Sequence, residues 1–303
     1  MTTSTKTIMR NDVVADQPDG PEAASQRHAV PSSAAGAPFK TSVMLWTLGI
    51  HLPVEQRLKT VAEAGYRAVE LAGEYHTWSE EELRRANETR RELGITFDAT
   101  AGAVVAPGRS RHNASDPHQR EAFLADVRAE LSMMGKLECP ELIVLAGDVV
   151  PELSPQAQHD SCVEALKRAA ELAEVQGATI LLENVDLEEN ADYLARSVDD
   201  VVQIIADVGH PRLKLCYDLY HAQISGGNLI ANLERHKDHV GKVHIGDVPG
   251  RHEPGTGEIN FTNIYKKLAE LDYDGYVAME FFPTGDPVST LARARQAASL
   301  AST

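Results

Sequence analysis

From Thr41 onward the chain alternates short apolar runs with amphipathic stretches, and the alternation repeats eight times. The apolar runs fall at residues 42–46, 68–71, 96–101, 141–146, 179–183, 214–218, 242–245 and 276–281, all of strand length. Helical periodicity occupies 54–64, 80–93, 117–137, 158–176, 198–208, 229–237, 262–271 and 287–300. Ser79 is placed to cap the second of these, and Gly65, Gly94 and Gly177 stand where a helix ends in a left-handed residue. Strands that each hand over to a helix run parallel, joined by right-handed crossovers. Eight such units fit a closed (β/α)8 barrel of the TIM type, which takes about 250 residues. The rival, an open doubly wound sheet, usually carries a Gly-rich phosphate turn after its first strand. Residues 46–53 (WTLGIHLP) are not one.

Composition narrows the function classes. The 303 residues are 43% hydrophobic and 24% charged, enough apolar mass for a core that needs no staples. A net charge of −16 lacks the basic footprint of a nucleic-acid binder, so no nucleic-acid partner is expected. A small anionic substrate stays compatible, because a local arginine or cation reverses the field inside a pocket. No apolar run approaches the ~18 residues of a membrane span, and the N-terminus lacks the apolar stretch of a secretion signal. Cys139, Cys162 and Cys216 form no CxxC pair and read as reduced core thiols of a cytoplasmic protein. Residues 1–38, rich in Ser, Thr, Ala, Pro and Asp, show no sustained apolar period. They are expected to be a disordered N-terminal extension, leaving 39–303 as a single barrel domain. A homo-oligomer is left open.

A barrel of this kind builds its active site at the C-terminal ends of its strands. Four polar residues stand there in the second half: Glu183 in TILLENVD, Asp218 in LKLCYDLYH, His244 in GKVHIGD and Glu280 in YVAMEFFP. They belong to four consecutive strands, so their side chains can converge on one point. Three carboxylates crowded together would repel one another and raise their own pKa values, a conflict that a divalent ion removes. The oxygen-rich set suits Mg2+ or Mn2+ best, while the imidazole keeps Co2+ or Zn2+ compatible. Glu70, Glu74 and His76 follow the second strand, and a buried ion pair accounts for Glu70 as well as a place at the mouth does. Trp46, His51, Arg109 and His112 are further candidates for the pocket wall.

The stretch from LLENVD through CYDLYHAQISGGNLI to VHIGDVPGRHEPGTGEIN and YDGYVAMEF resembles the xylose-isomerase-like barrel superfamily. Within it, VPGRHEPGTGEIN followed by YDGYVAMEF is similar to hydroxypyruvate isomerases. The resemblance implies a metal-dependent intramolecular oxidoreductase of the aldose–ketose isomerase type, interconverting hydroxypyruvate and tartronate semialdehyde. Its partner would be a small hydroxy-carbonyl substrate, an oxo-acid or a sugar. Glu183 and Glu280 would each bind the metal and act as the acid/base pair, with Asp218 and His244 completing the coordination. His221, three residues past Asp218, would hydrogen-bond the substrate, and Arg251 in PGRHEPG would grip its anionic or polar end. His244 stands where hydroxypyruvate isomerases often carry Gln, which is similar instead to ketose 3-epimerases of the tagatose and psicose type. A ketose 3-epimerase on the same metal site is therefore the alternative. A non-catalytic sugar-binding barrel is the second, although it would have no need of two paired bases.

Overall fold

The computed structural model describes residues 39–102 and 112–300. The expected N-terminal extension and Arg109 lie outside them. Eight strands close into a barrel in sequence order. They are β1 Lys40–Met44, β2 Ala68–Leu71, β3 Thr96–Thr100, β4 Glu141–Val144, β5 Thr179–Glu183, β6 Leu213–Asp218, β7 Val240–Ile245 and β8 Tyr276–Met279. Every neighbouring pair is parallel, including β1 with β8 across the closure. The outer helices are α1 Val54–Glu63, α2 Glu80–Glu92, α3 Arg120–Leu137, α4 Pro155–Val175 and α5 Val198–Val208. After β6 come α6 Leu219–Ser225 and α7 Leu229–His236, then α8 Phe261–Glu270 and α9 Pro287–Leu300.

The helices form where the periodicity places them because each buries one stripe. In α5, Val198, Val201, Val202, Ile205 and Val208 recur at helical spacing and are all buried. Each such side chain contributes roughly 1.5–3 kcal/mol on leaving water. Ser79 caps α2 in a reciprocal box with Glu82, and Ser197 does the same for α5 with Asp200. Most apolar side chains fill the layer between strands and helices. A second, smaller cluster of Met44, Ala72, Ala99, Ala101, Ile143, Leu181 and Cys216 lies inside the barrel. The three cysteines are free and buried.

Three details depart from the sequence expectation. Helix α4 starts at Pro155, not at residue 158, because Ser154 caps it and Pro155 needs no N–H partner at the first position. Helix α3 starts at Arg120, not at 117, since Asp116 holds the preceding turn by accepting the N–H of His118. Helix α6 was not expected at all: its seven residues are too few to display a period, and its N-cap is a strand residue, Asp218.

Candidate active site

Successive side chains of a strand point to opposite faces, so residues two apart share a face. Leu181 and Glu183 on β5, Cys216 and Asp218 on β6, and Lys242 and His244 on β7 are such pairs. Glu183 and Asp218 end their strands, His244 is one residue short of the end, and Glu280 lies just past β8. The Glu280 N–H still continues the ladder, donating to the Ile245 carbonyl at 2.9 Å. Register then places Asp218 beside His244.

The four expected residues come together. One donor atom from each of Glu183, Asp218, His244 and Glu280 lies within 4.8 Å of all the others, and all four residues are buried. Nδ1 of His244 is 2.7 Å from Glu280 Oε2, 3.3 Å from Glu183 Oε1 and 3.8 Å from Asp218 Oδ2. Despite that closeness, neither Nδ1 of His244 nor Oε2 of Glu280 is aligned for a hydrogen bond. Buried polar atoms are rarely left so, and ligand-type atoms that converge in this way are an arrangement a cation can complete. The spacing suits a small ion with ligands at about 2.1 Å, whose opposite ligands stand about 4.2 Å apart. The quartet can therefore hold a metal.

The surroundings set the charges. Burial pushes the Glu183 carboxyl upward, and contact with His244 only partly offsets this. Burial acts on Glu280 too, but Arg251 and His244 outweigh it and hold that carboxyl well below the usual range. The His244 ring resists charging because it is buried, yet Cys216, Glu70 and Glu280 around it raise its pKa well above that of ordinary histidine. The quartet and its neighbours are thus a mutually compensated set of charges rather than three bare carboxylates.

His221 and Arg251 line the same cleft, which encloses about 630 Å³. Asp218 Oδ1 caps α6 by accepting the His221 N–H at 3.1 Å, which fixes His221 at the mouth. Nδ1 of His221 is 2.6 Å from Asp186, leaving Nε2 toward Asp218 and Glu189 at 3.5 and 3.9 Å. Burial disfavours its charge, but Asp218 and Asp186 prevail and raise its pKa to about 9. Arg251 is not a free grip. Its guanidinium donates to Asp218 at 3.0 Å and to Glu189 at 3.0 Å, and stands 2.9 Å from Glu280. Its backbone sits in the left-handed region with φ 53°, a conformation that costs a non-glycine residue about 1–2 kcal/mol.

The loop after β7 holds Arg251 in place through Asp247. This fully buried carboxylate accepts the N–H groups of Val248, Gly255, Gly257 and Ile259 at 2.9–3.0 Å. Gly257 is required by close approach, since a Cβ there would meet the Val248 carbonyl oxygen at 2.0 Å. The cleft is two-sided. Met44, Trp46, Ala72, Ala101 and Leu145 from the first half of the barrel make an apolar wall, and the second half supplies Glu183, Glu189, His221, Arg251 and Glu280. Trp46 is steadied edge-on by Phe282, with ring centroids 5.1 Å apart.

Other candidates are spent elsewhere. Glu74 pairs with Arg57 at 3.1 Å, His76 with Glu130 at 2.6 Å and His112 with Asp126 at 2.6 Å. His51 is exposed on a turn away from the cleft lining. Glu70 lies inside the barrel beneath the quartet, not at its mouth. Sequence reasoning missed Asp186, Glu189 and Asp247. The run NVDLEEN after β5 concentrates acids in one loop, and Asp247 before a Pro/Gly-rich stretch is a turn signal.

A closed parallel barrel with a carboxylate–histidine cluster at the C-terminal mouth defines a (β/α)8-barrel enzyme. The xylose isomerase-like TIM barrel family model matches residues 58–300, and the chain belongs to that family. It is similar to the hydroxypyruvate isomerase of Escherichia coli, 29% identical over 227 residues that cover 75% of this chain and 87% of that one. Similarity to the 2-oxo-tetronate isomerase of Cupriavidus necator is 30% over 227 residues, covering 75% and 86%. Among solved structures, an AP endonuclease, family 2, from Brucella melitensis superposes with a TM-score of 0.75 at 26% identity, covering 85% of this chain and 97% of that one. The chain is an isomerase. No helix among the described residues is long and apolar enough to cross a membrane.

Proposed function

We propose that the chain interconverts hydroxypyruvate and tartronate semialdehyde by moving a proton between adjacent carbons, with one divalent cation held by Glu183, Asp218, His244 and Glu280. The observation that carries this reading is the convergence of those four side chains, with Nδ1 of His244 and Oε2 of Glu280 2.7 Å apart and neither aligned in a hydrogen bond. Mg2+ or Mn2+ matches the three carboxylates best. Bound there, the ion supplies Lewis-acid stabilisation of the charge that develops on two adjacent substrate oxygens.

The chain's own residues do the rest. Glu183, whose burial strengthens its hold on a proton, takes one from the hydroxymethyl carbon and returns it to the neighbouring carbon, while the proton of the hydroxymethyl oxygen passes to the former carbonyl oxygen. Glu280, kept ionised, is the other half of the acid/base pair. On a ketose, return of the proton by Glu280 to the carbon it left, from the opposite face, would instead give epimerisation. His221, its Nδ1 tied to Asp186, offers Nε2–H to a substrate oxygen. The substrate carboxylate takes the place of Glu189 on Arg251, since Glu189 is the most exposed of the three carboxylates there at 45%. The apolar wall excludes water from the reacting carbons. We place the protein in the cytoplasm, where its buried free thiols stay reduced.

The similarity to a 2-oxo-tetronate isomerase favours a second reading, a four-carbon oxo-acid on the same site. Metal-stripped and Mn2+-reloaded protein should be assayed on hydroxypyruvate, tartronate semialdehyde, 2-oxo-tetronate and a ketose panel. Turnover of hydroxypyruvate only after reloading is expected. Turnover of ketoses but of no oxo-acid would overturn the assignment in favour of an epimerase.

A further inference from the structure

One buried carboxylate outside the quartet touches a quartet member and has no part in the proposed reaction. Glu70 on β2 reaches across the barrel interior, with Oε1 3.1 Å and Oε2 3.2 Å from Nε2 of His244. Neither side chain is open to solvent. Glu70 is itself held from below. Lys242 Nζ stands 3.5 Å from its Oε2, 2.5 Å from Asp98 and 3.2 Å from Glu141. Lys242 precedes His244 by two residues on β7, so the pleat turns both inward.

A neutral imidazole has one protonated nitrogen and one bare nitrogen. An ionised carboxylate only accepts, so a carboxylate against Nε2 places the proton there and leaves the lone pair on Nδ1. Nδ1 is the atom that faces Glu183, Asp218 and Glu280. Cys216 Sγ also lies near Nε2, at 3.4 Å, but a thiol is a weak partner that can donate or accept and so selects neither tautomer.

We infer that Glu70 is a positioning residue: its carboxylate holds His244 as the Nε2–H tautomer with Nδ1 turned to the cation, while Lys242 keeps Glu70 in place. This rests on the reading that the quartet binds a divalent ion. The rival account makes Glu70 only a counter-ion of Lys242. Asp98 is the closer counter-ion and does not touch His244, so the two accounts separate at that residue.

The test is Mn2+ affinity by isothermal titration calorimetry on wild type, E70Q and D98N, each checked for folding by circular dichroism. E70Q should weaken binding about 10- to 100-fold, the usual effect of losing a carboxylate behind a ligand histidine. D98N should stay close to wild type. Equal affinity in E70Q and wild type would overturn the inference, as would an equal loss in D98N. A wild-type protein that binds no Mn2+ would fail earlier, overturning the quartet reading and this one with it. A readout that needs no variant is 15N spectroscopy of histidine-labelled wild type loaded with Mg2+. It should show His244 protonated at Nε2 and bare at Nδ1, and the opposite tautomer would overturn the inference.

Discussion

At the scale of single residues, the two glutamates of the quartet sit in opposed surroundings. Burial raises Glu183, and cationic neighbours lower Glu280. Replacing Glu183 by Gln keeps its shape and removes the base, so kcat at saturating Mn2+ should fall about 10²- to 10⁴-fold. Retained turnover in steady-state assays would favour a barrel that binds sugars without acting on them. Glu189→Ala frees Arg251, and KM for hydroxypyruvate should drop; a rise would mean that the substrate does not compete with Glu189. His221 has a folded pKa of about 9 against an ordinary 6.5. In the metal-free protein its ion pairing with Asp186 and Asp218 stabilises fully below pH 6.5 and is lost as pH rises through about 9. Urea unfolding of wild type against His221→Gln should show a difference that shrinks over that interval. The quartet was legible in the sequence because a polar residue ending an apolar strand run stands out. Glu70 was ambiguous because an acid within such a run looks the same whether it steadies a ligand or neutralises a lysine. The partners of Arg251 were invisible, since loop contacts leave no period.

At the scale of elements, the loop between β7 and α8 hangs four backbone N–H groups on one side chain. Asp247→Ala leaves four N–H groups without their acceptor, that of Ile259 buried and the other three part-buried. A buried unsatisfied group costs about 1–3 kcal/mol, so stability should fall by about that much in urea unfolding, and KM should rise as Arg251 loses its platform. Gly257→Ala should act in the same direction, because its methyl group collides with the Val248 carbonyl. Unchanged KM in both variants would disconnect the loop from substrate binding. Helix boundaries were legible where caps are local, as at Ser79 and Ser197. Helix α6 was not, because the side chain that starts it belongs to the preceding strand and to the site.

At the scale of the whole molecule, eight strand–helix units were readable from period alone, and closure followed from their number. What period could not convey is the polar interior, where Glu70, Asp98, Lys242 and His244 occupy space that apolar side chains usually fill. Binding an ion at the top of such a shaft couples the site to global stability. Mn2+ at about 100 times its dissociation constant should add ~2.7 kcal/mol, or roughly 5–10 °C in melting temperature. A melting curve indifferent to Mn2+ and to chelator would speak against a resident ion.

The cleft's two unlike walls also bear on how this molecule could change. All four candidate ligands descend from the last four strands, whereas the opposing apolar surface descends from the first four. Much of the surface that would face the substrate's apolar part is thereby drawn from a different length of chain than the candidate ligands, while Arg251 and His221 stay with the ligands. Recombining the N-terminal half with that of a relative that keeps a carboxylate at the Glu70 position should shift which compound is accepted while leaving the four candidate ligands in place.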